Sequence, residues 1–555
     1  MNFLRYIHTI RYLKPIQIYG RIRNLFYRAM PGRDPAPMLR QTSGIWKNLS
    51  NRPAVMVNPR CLSLFNRDYK ISDADDWSGR NIPRLAAYHL HYFDDFAAAA
   101  DAAERKDWHK DLIAHWIDHN PPGSKPGWEP YPTSLRIVNW IKWLLQENDA
   151  APEMLDSLAL QIRSLRKRIE YHLLGNHLIA NAKALVFAGA FFQGKEADEW
   201  LYAGLKLLGH EINEQILADG GHYERSPMYH SIVLEDVLDL IQLERMFPDL
   251  DRDDLCDAIE QWKDAAPRMI EWLNAMRHLD GDISFFNDAC FKQAPPPDGL
   301  IEYARRVGCI ASDDQSGKQI ISLPNSGYYR LQKKEAVLLI DAGEVGPDYQ
   351  PGHGHADTLS FELSLHGKRF LVNSGVSTYE DNALRNYQRS TPAHNTAMVQ
   401  KENSSEIWSA FRVARRARVF DVHIEEDQER VCVMASHDGY KRFRGKVIHK
   451  RTFTMDDDSL IITDEFSGTG LHEIDIYWHL HPAIDVRNEL ENNAEIMLSN
   501  DIISGSLFSD QRMKTVIEDS KYYPGFGIEQ DNSQIVTSWM GELPVSFETR
   551  ICWGG

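Results

Sequence analysis

The hydrophobic period of this chain changes once, and that change constrains the fold more than any other feature. From about residue 85 to 310, apolar residues recur at helical spacing. In the segment 134–145, Ile137, Trp140, Ile141, Leu144 and Leu145 make one stripe along a helix. Segments near 154–173, 177–192, 197–217, 230–246 and 254–277 behave alike, with Gly, Pro or Asn punctuating them. Helices in series without interleaved strands predict an all-α layer such as a bundle, solenoid or toroid. Beyond about residue 320 the pattern alternates. Phe361-Glu362-Leu363-Ser364-Leu365 reads as a strand, His366-Gly367-Lys368 as a turn, and Arg369-Phe370-Leu371-Val372 as the returning strand. Ala336–Asp341, Val431–Ala435, Val447–Met455, Leu460–Asp464 and Glu473–Leu480 are further strand candidates. Strands this short and dense predict an antiparallel β-sandwich.

A chain of 555 residues exceeds one ordinary core, in keeping with two or more domains. The expected division is a polar, irregular wrapping segment over 1–80, a helical domain over 81–315 and a sandwich over 316–555. Lys and Arg number 62 against 79 Asp and Glu, a net charge of −17 that argues against a nucleic-acid partner. The six cysteines are scattered without a CxxC pair and read as buried thiols from a reducing compartment. Charges interrupt the first apolar run, and no stretch approaches the roughly 20 apolar residues of a membrane span. The expectation is a cytoplasmic protein without a membrane partner, with the periplasm as the alternative. Its oligomeric state is left open.

Chemistry-bearing residues cluster at Gly- and Pro-punctuated turns. Pro351-Gly352-His353-Gly354-His355-Ala356-Asp357 and Arg389-Ser390-Thr391-Pro392-Ala393-His394-Asn395-Thr396 bring three histidines and an aspartate together. Paired imidazoles bind a divalent metal, or one binds while the other moves protons. In the helical half, Leu174-Gly175-Asn176-His177 sets an amide beside an imidazole, with a helix cap as the lesser reading of Asn176. Asp219-Gly220-Gly221-His222-Tyr223-Glu224-Arg225-Ser226-Pro227-Met228-Tyr229-His230 is denser in polar and aromatic groups than a bland turn requires, and Ser226-Pro227 reads as a helix start. Gly281–Asp288 fits a cleft wall and a helical hairpin equally well.

Taken with Trp128-Glu129-Pro130-Tyr131-Pro132, Arg136-Ile137-Val138-Asn139-Trp140 and Leu359-Ser360-Phe361-Glu362-Leu363, these motifs in this order resemble the heparinase II/III-like polysaccharide lyases. The resemblance implies an N-terminal α/α toroid (an incomplete barrel) followed by a C-terminal antiparallel β-sandwich, with catalysis between them. It implies β-elimination at a uronic acid of an acidic polysaccharide or oligosaccharide, giving a C4–C5 unsaturated product. Asn176, assisted by His177, matches the amide set against the substrate carboxylate, and Tyr229 the tyrosine that acts as acid, and as base for one stereochemistry. His353 matches the partner base or a carboxylate-binding histidine, which leaves open which of Tyr229 and His353 is the base. An ordinary phenol titrates at about 10, so use of Tyr229 as a base calls for a local positive field. Arg225, Arg385 and Arg389 are candidates to supply it or to grip anionic sugars, with His222, Tyr223 and Glu224 as further substrate contacts. Glu224 is equally suited to a structural ion pair. Tyr379, Trp408 and Trp478 join Tyr223 as candidates to stack on sugar rings.

His355 and His394 match metal ligands of related lyases, but Asn373 stands where those proteins carry an aspartate. A neutral amide suits zinc poorly, so the implied structural zinc is weak, replaced by hydrogen bonds, or completed by Asp357. Two rival readings remain open. A hydrolytic glycosidase requires two carboxyl groups flanking one bond, with Asp219, Glu224, Asp282 and Asp357 as candidates. A non-catalytic carbohydrate-binding protein of polysaccharide biosynthesis would keep fold and cleft without turnover.

Overall fold

In the computed structural model the described residues are 3–27, 31–98, 103–248, 250, 252–310, 317–487 and 495–554. The expected boundary at 315/316 falls outside them. The helical half is built from Ala103–His119, Pro130–Glu147, Pro152–Arg166, Asn176–Phe191, Lys195–Gln215, Pro227–Met246 and Asp253–Ala275, closed by Pro297–Arg306. Together they form an α/α toroid. Proline opens several of these helices, where its missing N–H costs nothing. Asn148 ends Pro130–Glu147 in the left-handed region at φ 49°. Asn176–Phe191 is buried at every position but His177, which makes it the hub against which neighbouring helices pack.

The second half is an antiparallel β-sandwich. Five strands, Ile320–Leu323, Tyr328–Lys333, Ala336–Asp341, Phe361–Leu365 and Lys368–Leu371, pair in chain order. The facing ten-stranded sheet is dominated by Ser459–His479 paired with Ile528–Gly554. Leu338, Leu363, Val433, Phe453 and Trp478 share the core between the sheets. Two expected strands, Leu460–Asp464 and Glu473–Leu480, merge into the single strand Ser459–His479, with Leu480 just beyond it in an isolated bridge to Leu371 and a bulge between Phe466 and Gly470.

The alternation in Phe361–Leu365 carries more than the usual core-and-solvent meaning, because all five residues are buried. The far face of this sheet packs on the toroid. Glu362 accepts the N–H groups of Phe285 and Asn373, at 2.9 and 2.8 Å, and lies 2.8 Å from His278 Nε2. The wrapping segment is also more regular than expected. It holds helices Phe3–Ile10 and Pro15–Phe26 and a small sheet over Met56–Asn58, Cys61–Leu64 and Arg67–Lys70. Dense basic residues and the central Pro15 masked the i, i+4 apolar spacing of those helices. The cysteines are all unpaired, but only Cys290 and Cys309 are buried, which corrects the expectation of uniformly buried thiols. Among the described residues no helix is long and apolar enough to cross a membrane.

Candidate active site

A cleft of about 470 Å³ separates toroid from sandwich and is lined from both. Tyr131, Asn176, His177 and Tyr229 form the toroid wall; His353, Tyr379 and Phe411 face them. Each is positioned by local chain geometry. Gly175, at φ +64°, precedes Asn176, and a Cβ there would collide with Glu224 Oε1. Ser226 caps Pro227–Met246 by accepting the Tyr229 N–H at 3.2 Å, which seats the tyrosine in the first turn. Gly354 lets the His353 loop run against the Val345 carbonyl, where no side chain fits.

The polar groups form one continuous chain of contacts. Asn176 donates from Nδ2 to both Glu224 oxygens, at 3.1 and 3.3 Å, and from its backbone N–H to Oε1 at 3.1 Å. Glu224 Oε2 lies 3.5 Å from His353 Nε2. On the other side of that ring, Nδ1 lies 2.8 Å from Asp288 Oδ2. Asp288 also lies 2.9 Å from His355 Nε2 and is clasped by both terminal nitrogens of Arg385. Burial alone would raise the Asp288 carboxyl, but Arg385, with His353 and His355, holds it well below the ordinary carboxylate range.

The Tyr229 ring stacks on His353 with centroids 3.9 Å apart, and its hydroxyl lies 3.2 Å from that of Tyr379. Burial pushes the Tyr229 phenol well above its usual value, so it keeps its proton at neutral pH. His177 lies on the Tyr131 ring and 3.2 Å from Glu170. Burial would lower its pKa, but Glu170, reinforced by Glu224, outweighs that and raises it. The cleft's deep wall neutralises itself. Arg52 pairs with Glu235 at 2.9 Å, Lys183 with Asp236 at 2.7 Å, and Lys142 and Lys183 both with Asp239.

The structure thus gathers Asn176, His177, Tyr229 and His353 at one cleft. The other expected substrate contacts sit behind its walls. His222 is buried, with Nε2 3.0 Å from Gln215 Oε1, and Tyr223 is buried beside it. Glu224 bridges Asn176 and His353 from behind. Arg225, in the left-handed region at φ 58°, donates to the Glu344 carbonyl. Arg389 donates to the carbonyls of Gly354 and Ser409, at 2.8 and 2.9 Å, and so holds the His353 loop. Arg385 serves Asp288. These arginines are consumed by carbonyls and one carboxylate that the fold buries with them, which sequence spacing does not display.

Of the aromatic candidates Tyr379 lines the cleft, whereas Trp478 lies in the sandwich core. Asp288, Glu170 and Tyr131 were missed as site residues. Asp288 stands at the end of the polar cluster 281–288 and Tyr131 within Trp128–Pro132, which were the available signals. Glu170 gave none.

His355, Asp357 and His394 present donor atoms within 4.8 Å of one another, all buried. The fit to a divalent cation is good. Burial lowers both imidazoles to about 4, leaving them neutral with a lone pair to give. Their other nitrogens are fixed, His355 by Asp288 and His394 by the Ser390 carbonyl at 2.8 Å, the second-layer pattern that orients metal ligands. Asp357 would supply negative charge. Asn373, expected as a ligand, instead donates to the Phe285 carbonyl at 2.9 Å and accepts the Asn395 N–H at 3.2 Å, so its amide is engaged by backbone.

An α/α toroid joined to a β-sandwich thus frames a cleft where an amide, a phenol and imidazoles meet. The chain belongs to the heparinase II/III-like family: residues 84–295 match the heparinase II/III N-terminus and residues 315–554 the heparinase II/III-like C-terminal domain. It is similar to a heparin-sulfate lyase of Bacteroides stercoris, 23% identical over 406 residues that cover 66% of this chain and 55% of that protein. It is also similar to the FtsZ-localized protein C of Caulobacter vibrioides, 23% identical over 464 residues covering 77% and 74%. A heparinase III crystal structure superposes with a TM-score of 0.66 at 18% identity, covering 98% of this chain and 85% of the other. The chain spans about half the length of the two Bacteroides heparin-sulfate lyases it matches.

Proposed function

We propose that this protein is a polysaccharide lyase that cleaves a uronic-acid-containing acidic polysaccharide by β-elimination. One observation carries the reading: Asn176, His177 and Tyr229 from the toroid face His353 from the sandwich across a single cleft. The uronate carboxylate lies against the Asn176 amide and the His177 imidazolium, which stabilise the enolate-like charge as C5 loses its proton. Asp288 fixes Nδ1 of His353 and leaves Nε2 as the basic nitrogen that takes that proton. The C5–H electrons become the C4–C5 double bond, the C4–O bond breaks, and the protonated Tyr229 phenol gives its proton to the departing oxygen. No water is consumed.

His355, Asp357 and His394 would hold a divalent ion, zinc by the nature of the donors, bracing the loops that carry His353 and Arg389. A hydrolytic mechanism has less support, because three deep carboxylates of the cleft, Glu235, Asp236 and Asp239, are paired with cations. The test is a panel of uronate polymers (heparan-like, alginate-like and bacterial exopolysaccharide). Release of an ultraviolet-absorbing unsaturated product is expected from at least one; saturated products alone would replace this reading with hydrolysis.

A further inference from the structure

The two leading helices are turned inside out. Phe3–Ile10 exposes Phe3, Leu4, Ile7 and Ile10, and Pro15–Phe26 exposes Ile18, Ile22 and Leu25 on one stripe with Tyr19 and Phe26 beside it. Leu25 is 79% and Phe26 83% exposed. Their polar sides hold the arm to the body. Thr9 Oγ1 accepts from Trp408 Nε1 at 3.1 Å, the buried Gln17 donates to the Tyr349 carbonyl at 3.0 Å, and Gly20 sits so close to His172 that a Cβ would stand 2.9 Å from it. A surface helix ordinarily buries its apolar stripe and shows its polar one. Of the 26 exposed large hydrophobic residues among the described residues, 11 fall within 3–27, so the patch is concentrated and not scattered.

We infer that helices Phe3–Ile10 and Pro15–Phe26 dock this protein on an anionic lipid bilayer. Residues 3–27 carry Arg5, Arg11, Lys14, Arg21 and Arg23 and no acidic residue, in a chain whose net charge is −17. Lys14 pairs with Glu214 of the body and Arg23 donates to the Lys167 carbonyl, while the other cations flank the apolar side chains, the signature of a helix lying in the membrane interface. Helices of 8 and 12 residues are too short to span a bilayer, so the arm lies in its surface. A second copy is a poorer occupant, since a two-fold contact would set like-charged arms against each other. The acidic remainder of the molecule is repelled by the same lipids, which orients the docked protein arm-down. Arg21 lines the cleft as well, so docking holds the cleft mouth at the bilayer. The inference is independent of lyase activity.

The test is co-sedimentation of the full chain with vesicles of phosphatidylcholine alone or with phosphatidylglycerol added. Binding to the anionic vesicles that weakens with added salt is expected. The double variant Ile22→Asp/Leu25→Asp, both sites exposed, should bind about tenfold less or worse while its thermal unfolding is unchanged. No binding to anionic vesicles, equal binding to both compositions, or variant binding equal to wild type would overturn the inference. So would a lipid-free dimer that the same variant dissociates, because that assigns the face to a second copy.

Discussion

His353 is held edge-on between two carboxylates, Glu224 at 3.5 Å and Asp288 at 2.8 Å, while the Tyr229 ring covers its face at 3.9 Å. The imidazole therefore has a fixed orientation and one nitrogen committed to Asp288. Base and acid of the proposed elimination are packed directly on each other.

Tyr229→Phe keeps that stack and removes only the proton donor. Turnover on a uronate polymer should fall by about 10²- to 10⁴-fold, the usual worth of a positioned acid, with substrate binding nearly unchanged. Single-turnover assays alongside equilibrium binding check this. Loss of binding in parallel with turnover would assign the tyrosine to recognition.

Asp288→Asn removes the negative charge that Arg385, His353 and His355 share. Breaking a buried pair from one side costs about 3–5 kcal/mol, so denaturant unfolding should reveal a large loss of stability. Activity should fall as well at temperatures where the variant remains folded, because His353 loses its anchor. A variant as stable as wild type would contradict the charge network.

His177 has a pKa raised above 6.5 by Glu170. A group raised in the folded state contributes stability fully present below its unfolded pKa and lost as pH climbs through the folded one. Carboxylate binding at the cleft should follow the same direction, with KM rising as His177 deprotonates on the alkaline side. Glu170→Gln should move that limb toward acid. An unchanged KM profile would show that His177 does not meet the substrate carboxylate.

Zinc added at 100 times its dissociation constant should stabilise the protein by about 2.7 kcal/mol, and chelator should reverse this. His394→Ala should abolish the effect without touching the cleft wall. Thermal unfolding with and without metal reads it directly; an identical response in wild type and variant would place the metal elsewhere.

Much of this was legible in sequence because it is local. The change of period separated the two layers, and Gly175-Asn176-His177, Ser226-Pro227 and Gly352-His353-Gly354-His355 each encode their own turn geometry. What stayed hidden depends on partners far along the chain. Asp288 meets His353 65 residues on and Arg385 97 residues on, and no spacing announces either contact. The arginines near the motifs looked like grips for anionic sugar. In the fold they are buried and donate to carbonyls and to Asp288, partners chosen by tertiary packing. The absence of a spanning stretch likewise led to an expectation of no membrane contact, although short amphipathic helices can lie along a bilayer without crossing it.

Glu362 reaches from a sandwich strand to His278 and the Phe285 N–H, just ahead of Asp288. The two domains are thereby joined close to the cleft. A tilt that separated His353 from Tyr229 would also pull on that joint. In the proposed elimination, a widened cleft would therefore part the base from the acid.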